Sequence, residues 1–236
     1  MAAIAGHDGH VTFASGYTTN AHAWSITDGG ASVDTTPFQP TGDWTTRALA
    51  IADWNGEYRC KQVATLATNL TAAGGSYDSN AHSFSLELSA QDLLTTPFGV
   101  DYQTRIAGLL GGTGSYDCYL DATATLPQRG DSDTITLTID AGKTYGIPVV
   151  IREIEARVST DGSDRHATIT WESNGAITRA GTPLIGATGA ATFLAVGGRT
   201  YTGDILITRI GISMAAARDI AEYAFGFAGN GDLTAA

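Results

Sequence analysis

The chain repeats one of its own segments. Residues 21–38 read AHAWSITDGGASVDTTPF, and residues 81–98 read AHSFSLELSAQDLLTTPF. At an offset of 60, residues 16–38 and 76–98 are identical at nine of 23 positions. Unrelated segments would match at roughly one or two, so a common origin is favoured. At an offset of 58 the match continues through Asp43/Asp101, Thr46/Thr104, Arg47/Arg105, Gly56/Gly114, Tyr58/Tyr116 and Cys60/Cys118. We name these copies A (residues 16–60) and A′ (residues 76–118).

A second repeat occupies the other half of the chain. Residues 142–178, named B, and residues 198–234, named B′, align without a gap at an offset of 56. The identical pairs are Gly142/Gly198, Thr144/Thr200, Tyr145/Tyr201, Ile151/Ile207, Ile154/Ile210, Asn174/Asn230, Gly175/Gly231 and Thr178/Thr234. The order along the chain is therefore A, A′, B, B′.

This order fits two modules that each combine one A-type half with one B-type half. If the neighbours A′ and B combine, residues 69–181 form an inserted module, and residues 1–68 plus 182–236 form the outer module. Pairing A with B and A′ with B′ would instead entwine the modules. The sequence leaves both arrangements open.

Alternation of apolar and polar residues predicts an all-β fold of two related β-sandwich or β-barrel modules. Residues 84, 86 and 88 (Phe, Leu, Leu) would share one strand face, as would residues 24 and 26 (Trp, Ile) in copy A. Further strands are expected at 11–13, 148–158, 167–171 and 205–214, with turns at 159–164 and 215–219. Residues 1–10 are expected to be a loose arm.

Long connections are predicted at about residues 28–48 and 89–106, each followed by a short apolar stretch, a glycine turn and an outgoing strand. Loops beyond about 12–15 residues are uncommon in compact domains unless they have a function. Both connections keep TTPF, an aromatic residue and an arginine. Phe38 and Phe98 would either cap their module or anchor a neighbouring subunit, and both interpretations stay open.

The charge balance excludes some functions. With 24 acidic and 13 basic side chains, the net charge is -11, which argues against a protein that grips nucleic acid through lysine and arginine. No apolar run of about 18 residues predicts a membrane span, and no signal peptide is recognised, so folding in the cytoplasm is expected. Cys60 and Cys118 are a repeat pair and are expected to be buried free thiols.

No motif for catalysis, a metal or a cofactor stands out, so we expect a protein that is not an enzyme. His7 and His10 have only a weakly specific ligand spacing. His22 and His82 recur in the two A-type copies, and a hydrogen-bonded structural role is favoured for them over catalysis.

Several short motifs resemble the tail tube proteins of long-tailed bacteriophages. They are WSI (24–26), DTTPF (34–38), an ADWNG turn (52–56) and ATITWESNGAIT (167–178). The resemblance covers most of the chain, copy by copy. It implies β-sandwich or β-barrel modules that assemble as hexameric rings, which stack into a tube for DNA.

Two modules per chain would, by this resemblance, give rings of three chains with pseudo-sixfold symmetry. The implied partners are further copies of the chain, other phage tail proteins and DNA that passes without specific binding, with no cofactor. The implied location is the virion tail, after assembly in the host cytoplasm. The long loop of such proteins reaches the adjacent ring or subunit, which carries over onto residues of both copies. These are Asp34, Thr35, Thr36, Pro37, Phe38, Trp44, Arg47, Thr95, Thr96, Pro97, Phe98, Tyr102 and Arg105.

The alternative hypothesis belongs to another class of protein. It is a carbohydrate-binding or adhesin-like β-sandwich, such as a capsid decoration or distal-tail module, in which Trp24 or Trp44 would contact the glycan.

Overall fold

The computed structural model describes residues 2–7, 11–13, 21–34, 47–62, 69–72, 81–99, 101–120, 126–140, 143–158, 165–181, 184–195, 198–214 and 221–236. These ranges contain fourteen strands. They are β1 (Ala2–His7), β2 (Val11–Phe13), β3 (Ala21–Asp34), β4 (Arg47–Gln62), β5 (Asn69–Ala72), β6 (Ala81–Leu94), β7 (Arg105–Tyr119), β8 (Ser132–Asp140), β9 (Lys143–Val158), β10 (Arg165–Ser173), β11 (Thr178–Ala180), β12 (Thr188–Leu194), β13 (Thr200–Met214) and β14 (Ala221–Ala235).

The predicted all-β class is confirmed, because the regular structure of the described residues consists of strands. The strands form one sheet in the order β1-β3-β4-β14-β13-β6-β7-β10-β9-β8-β5. Outside this path, β11 pairs with β9, and β12 pairs with both β13 and β2. Neighbouring strands run antiparallel throughout this path.

The sheet brings particular halves of the chain together. β4 of copy A pairs with β14 of copy B′, and β7 of copy A′ pairs with β10 of copy B. These are the pairs that the nested arrangement requires. β13 also pairs with β6, so the ladder continues from the outer halves to the inner ones. The module boundaries at 68/69 and 181/182 stay a prediction.

Strand registers recur at the offsets of the sequence repeat. In β3 and β4 the register shifts between Ala21 and Ala23, and in β6 and β7 it shifts between Ala81 and Ser83. In the B-type halves, Trp171 lies opposite Ile151, and Phe227 lies opposite Ile207. In both ladders one unpaired residue follows the isoleucine, Arg152 in β9 and Thr208 in β13. The recurrence of such irregular positions supports the internal repeat.

The core follows the predicted alternation. Phe84, Leu86 and Leu88 are buried, while the intervening residues of β6 are exposed. Trp24 and Ile26 are likewise buried in β3. Strand β10 buries Ala167, Ile169 and Trp171, as predicted. Aromatic rings contribute to the same core, with Tyr58 stacked on Phe225 at a centroid distance of 4.6 Å. One apolar cluster extends across strands of all four repeated halves.

The strands around the predicted connections are longer than expected. β3 continues to Asp34 and β6 to Leu94, and the returning strands begin at Arg47 and Arg105. The prediction that the connections begin near residues 28 and 89 was therefore wrong. The predicted glycine turns were also wrong, because residues 52–56 lie inside β4, and the glycines of copy A′ lie inside β7.

The N-terminal residues also differ from expectation. Instead of belonging to a loose arm, Ala2–His7 form β1, which pairs with β3 over six residues. The predicted turns at 159–164 and 215–219 lie outside the described residues.

Both cysteines are free and buried, which confirms the prediction. Burial, followed by the nearby charge of Glu222, raises the pKa of the Cys60 thiol to about 12. Burial also raises the pKa of Cys118, whose thiol donates to the Ala167 carbonyl at 3.7 Å.

Two repeated glycines make room for an aromatic side chain on the adjacent strand. A Cβ at Gly56 would lie closer than 3.0 Å to the ring of Phe227, and one at Gly114 would lie equally close to the indole of Trp171. Each added Cβ would also meet a backbone carbonyl on the other neighbouring strand. These contacts explain why both copies keep glycine within a strand.

We expect Gly114→Ala to lower the free energy of unfolding by about 1–3 kcal/mol, because the added methyl group overpacks the core against Trp171. Urea unfolding followed by tryptophan fluorescence measures the change. Gly111→Ala in the same strand is the matched control, since its Cβ would meet only Ser89 Oγ at 3.8 Å. Equal effects of the two substitutions would contradict the packing explanation.

Candidate assembly surfaces

The TTPF segment of copy A′ lies in the loop that joins β6 to β7. The Thr95 amide donates to the Thr104 carbonyl at 2.9 Å, and the Thr104 amide donates to Thr96 Oγ1 at 3.2 Å. Gly99 has a φ of 84°, a conformation that glycine adopts without a steric penalty. Hydrogen bonds between its own residues therefore close the loop, and a second chain is not needed to order it.

Phe98 lies at the tip of this loop with a relative exposure of 108%. Its ring does not cap the core, so of the two interpretations of this residue, only the anchoring of a neighbour stays a prediction. An exposed aromatic side chain on a closed loop is a suitable anchor, because little conformational entropy is lost when it docks.

The returning arm of the loop is fixed to the outer halves of the chain. The Ala52 amide donates to the Asp101 carbonyl at 2.7 Å, and the Gln103 amide donates to the Ala52 carbonyl at 3.1 Å. Tyr102 forms an isolated parallel bridge with Ala52 and packs against the core. The Gly231 amide adds a bond to the Gln103 carbonyl at 3.0 Å. The A′ loop thus contacts both β4 and β14.

Arg105 is the electrostatic centre of this contact. Its guanidinium forms ion pairs with Asp92 and, at 2.7 Å, with Asp53. It also donates to Gln103 Oε1 at 2.7 Å, and the Arg105 backbone amide donates to Asn230 Oδ1 at 2.6 Å. With a side-chain exposure of 11%, Arg105 orders the base of the loop within the chain. Its contact with another subunit stays a prediction.

Large apolar side chains are exposed along the end of the β6–β7 hairpin. In the ladder Leu93 lies opposite Ile106, and Ala90 lies opposite Leu110. Extended exposed apolar surface is typical of interaction sites. These side chains lie on both faces of the hairpin end, because neighbouring strand residues point to opposite sides. Together we call them the hairpin-end patch; its exposed members are Leu93, Leu94, Phe98, Ile106, Leu109 and Leu110.

The corresponding loop of copy A is only partly described. Asp34 and Arg47 are opposite each other in the β3–β4 ladder. Thr35, Thr36, Pro37, Phe38 and Trp44 lie outside the described residues.

The face of the sheet opposite the core carries paired charges. Arg209 contacts Glu87 at 3.1 Å, and Arg157 contacts Glu155 at 2.7 Å. Two further pairs are Arg59 with Glu57 at 3.6 Å and Arg152 with Glu172 at 3.2 Å. Each of these arginines is therefore partly neutralised by a carboxylate of the same chain.

A polar cluster on the same face surrounds Asp117. Ser83 Oγ donates to its carboxylate at 2.5 Å, and Thr168 Oγ1 donates at 2.6 Å. Burial tends to raise the pKa of Asp117, but these hydrogen bonds and the nearby His82 and His166 outweigh it, so the pKa falls below its ordinary value of 3.8. The Asp117 carboxylate therefore links β6, β7 and β10 through these two hydroxyl groups.

His82 stacks on Tyr119 at a centroid distance of 4.3 Å. Within the described ranges, no group of three or more His, Cys, Asp and Glu side chains is arranged to hold a metal ion. The side chains of His7 and His22 are not described, and His10 lies outside the described residues. Among the residues that the structure describes, none belongs to a helix with the length and hydropathy of a membrane span.

Trp24 is buried, and its Nε1 donates to the Leu194 carbonyl at 3.2 Å. It therefore cannot serve as an exposed platform for a sugar ring. Trp54 and Trp171 are buried as well.

Neither a scan against protein-family models nor a search of curated proteins found a match to the chain.

The sequence identified Phe98, Tyr102 and Arg105 as neighbours along the chain, and the structure places all three in or beside one loop. The sequence analysis did not identify the partners of Arg105, which come from β4, β6 and β14. The hairpin-end patch was also missed. Its signal was the apolar pairs at 93–94 and 109–110, which break the period-two alternation of a half-buried strand.

We expect Arg105→Ala to lower the free energy of unfolding by about 2–3 kcal/mol, because Asp53 and Asp92 lose a shared and largely buried cation. Arg209→Ala is the control, since its pair with Glu87 is half exposed and should contribute less than about 1 kcal/mol. Urea unfolding of both variants measures the difference. Equal losses would show that Arg105 does not order the loop.

The lowered pKa of Asp117 predicts a pH-dependent contribution to stability. The unfolded chain binds a proton at Asp117 more readily than the folded chain, so the contribution is complete above about pH 5 and is lost as pH falls through the folded-state pKa. Asp117→Asn should therefore differ most from the parent protein near neutral pH. Urea unfolding between about pH 2 and pH 7 tests this expectation. A difference that stays constant with pH would refute it.

Proposed function

We propose that the chain is a structural virion protein whose copies form the stacked rings of a phage tail tube, through which DNA passes. The observation that carries the proposal is the edge-to-edge junction of the repeated halves. Strand β13 of B′ pairs with β6 of A′, and so two related strand groups share one continuous sheet. A contact that joins repeated units within a chain provides a geometry for joining further units between chains.

The composition of the polar face of the sheet supports the proposal that DNA passes along it. Its exposed strand positions carry serine, threonine and glutamate, and the arginines Arg59, Arg152, Arg157 and Arg209 are paired with carboxylates. A wall of this composition offers DNA few cations to replace its counterions, so binding would be weak. The net charge of -11 adds to this effect. In the proposed ring this face lines the lumen.

The exposure of the hairpin-end patch supports the proposal that this end of the chain contacts the adjacent ring. Phe98 lies on a loop whose base is fixed by Arg105, so the aromatic ring projects from an ordered support. Leu93 and Ile106 extend the apolar surface along the hairpin. With two modules per chain, three chains per ring would give pseudo-sixfold symmetry. The partners are further copies and other tail proteins, the site of action is the virion, and the role is not enzymatic.

Electron microscopy of the negatively stained, concentrated protein tests the proposal, together with sedimentation velocity over a range of concentrations. We expect stacked rings and a mass for the smallest stable ring of three chains. A monomer at every concentration and salt condition would contradict the proposal.

Phe98→Ala should weaken the association between rings by about 2 kcal/mol, roughly 30-fold, because a central aromatic anchor is lost. The rings themselves and the free energy of unfolding should be unchanged, since the side chain is fully exposed. The length distribution of stacks and the sedimentation profile report the effect. Phe98→Leu should restore part of the stacking, and Tyr119→Ala at the opposite end of β7 should have no effect. Normal stacking of Phe98→Ala would exclude this loop from the contact between rings.

A further inference from the structure

Within the described part of the chain, the C-terminal half of β9 has an open edge. On one side of the strand, β8 pairs with Lys143–Val150. Next to it, the Gly130 amide donates a hydrogen bond to the Ile151 carbonyl, and the Ile151 amide donates one to the Asp131 carbonyl. Beyond Ile151, the described residues provide a neighbour only on the β10 side. Here Ala156 is exposed, and Val158 has a relative exposure of 63%. Unpaired edge strands of this kind invite pairing with another strand.

Strand β13, the repeat equivalent of β9, has the same arrangement with one addition. β12 pairs with the first half of β13. The Gly186 amide then donates a hydrogen bond to the Ile207 carbonyl, and the Ile207 amide donates one to the Ala187 carbonyl. These positions correspond to 130, 131 and 151 at the offset of 56. Beyond Ile207, however, β6 pairs with residues 209–214. Ile212, which corresponds to Ala156, is only 2% exposed there.

The repeat equivalent of β6 is β3, and the edge of β3 that corresponds to the β13 contact is occupied by β1. The six β1 residues lie opposite residues 23–28 of β3. At the offset of 60, the β6 residues that pair with β13, 84–89, correspond to residues 24–29 of β3. The two stretches differ by one residue. Strand β1 thus covers in copy A the edge to which β13 binds in copy A′.

We propose that residues 153–158 of one copy pair antiparallel with residues 24–29 of a second copy, and that β1 is displaced from this edge. The inference rests on the proposed ring and specifies its contact between chains. Applying the repeat offsets to the β13–β6 ladder places Glu153 opposite Gly29, Glu155 opposite Thr27 and Arg157 opposite Ser25.

The chemistry of the two edges fits this register. Ala156 and Val158 would lie opposite Ile26 and Trp24 on the core side, as Ile212 lies opposite Leu86 within the chain. Glu155 and Arg157 stay on the polar face, because their β10 partners Thr168 and His166 lie on that face. One strand edge accepts one partner, so β1 and the second copy compete. By covering β3, β1 protects the free chain from random edge pairing.

Disulfide trapping tests the register. The paired variant Ser25→Cys/Arg157→Cys is allowed to assemble and is then oxidised, and non-reducing electrophoresis should show two-chain and three-chain species. Ser85→Cys/Ser213→Cys is the matched control, because these residues lie opposite each other within one chain. It should form an intrachain disulfide without any increase in mass. Each single variant should give monomer only.

The outcomes separate this inference from the proposed function. Rings in the microscope without an interchain disulfide, while the control pair closes, would overturn the inference and leave the ring proposal intact. Absence of both rings and interchain disulfides would overturn both. Interchain disulfides without stacked rings would support the strand contact and contradict the tube.

The displacement of β1 is tested by Ala3→Pro/Ile4→Pro. Adjacent strand residues direct their amides to opposite sides, so one of the two prolines must remove a donor from the β1–β3 ladder. We expect the trapped interchain fraction of the paired variant to increase and assembly to begin at a lower protein concentration. A decrease in both would show that β1 belongs to the contact, and would overturn its displacement.

Discussion

The antiparallel ladder between β13 and β6 joins two groups of strands that are far apart in sequence. Arg209 lies opposite Ser89 and Met214 opposite Phe84, so the ladder links the last repeated half to the second one. Its backbone hydrogen bonds satisfy an edge that would otherwise stay open, and its side chains close the core over Ile210 and Ile212. Among the described strands, this ladder is the one that joins the outer halves to the inner halves, so the polar face is continuous across both groups because of it.

The strict alternation of the strands separates two tasks. One face packs aromatic and aliphatic side chains into a common core, whereas the other carries small and charged residues. Because the period of a strand is two, neither face can change its character without a change of register. The hairpin end is the exception, since β6 and β7 extend beyond the core there and expose apolar side chains.

Much of the fold could be predicted from local patterns. The alternation around Trp24, Phe84 and Ile169 identified three strands and their buried faces, and the offsets of 60, 58 and 56 matched equivalent ladders. The glycines of β4 and β7 misled, because a glycine in a sequence resembles a turn signal. Only the adjacent Phe227 and Trp171 rings reveal why it is needed in a strand. The contacts of Arg105 were equally hidden, since its partners Asp53 and Asn230 are 52 and 125 residues away.

The nested order of the repeated halves has a consequence for synthesis of the chain. Strands β7 and β10 are both complete once residue 173 has emerged, whereas β4, finished at Gln62, has its partner β14 only from Ala221 onward. At the usual rate of translation, that interval lasts roughly 8–32 s. During this time the β3–β4 hairpin has an unsatisfied edge on the β4 side, while the inner strands can already close on each other. When β10 emerges, both β4 and β7 have a free edge, but β7 lies closer to β10 along the chain. Closing the shorter loop costs less conformational entropy, which favours the nested pairing over the entwined one.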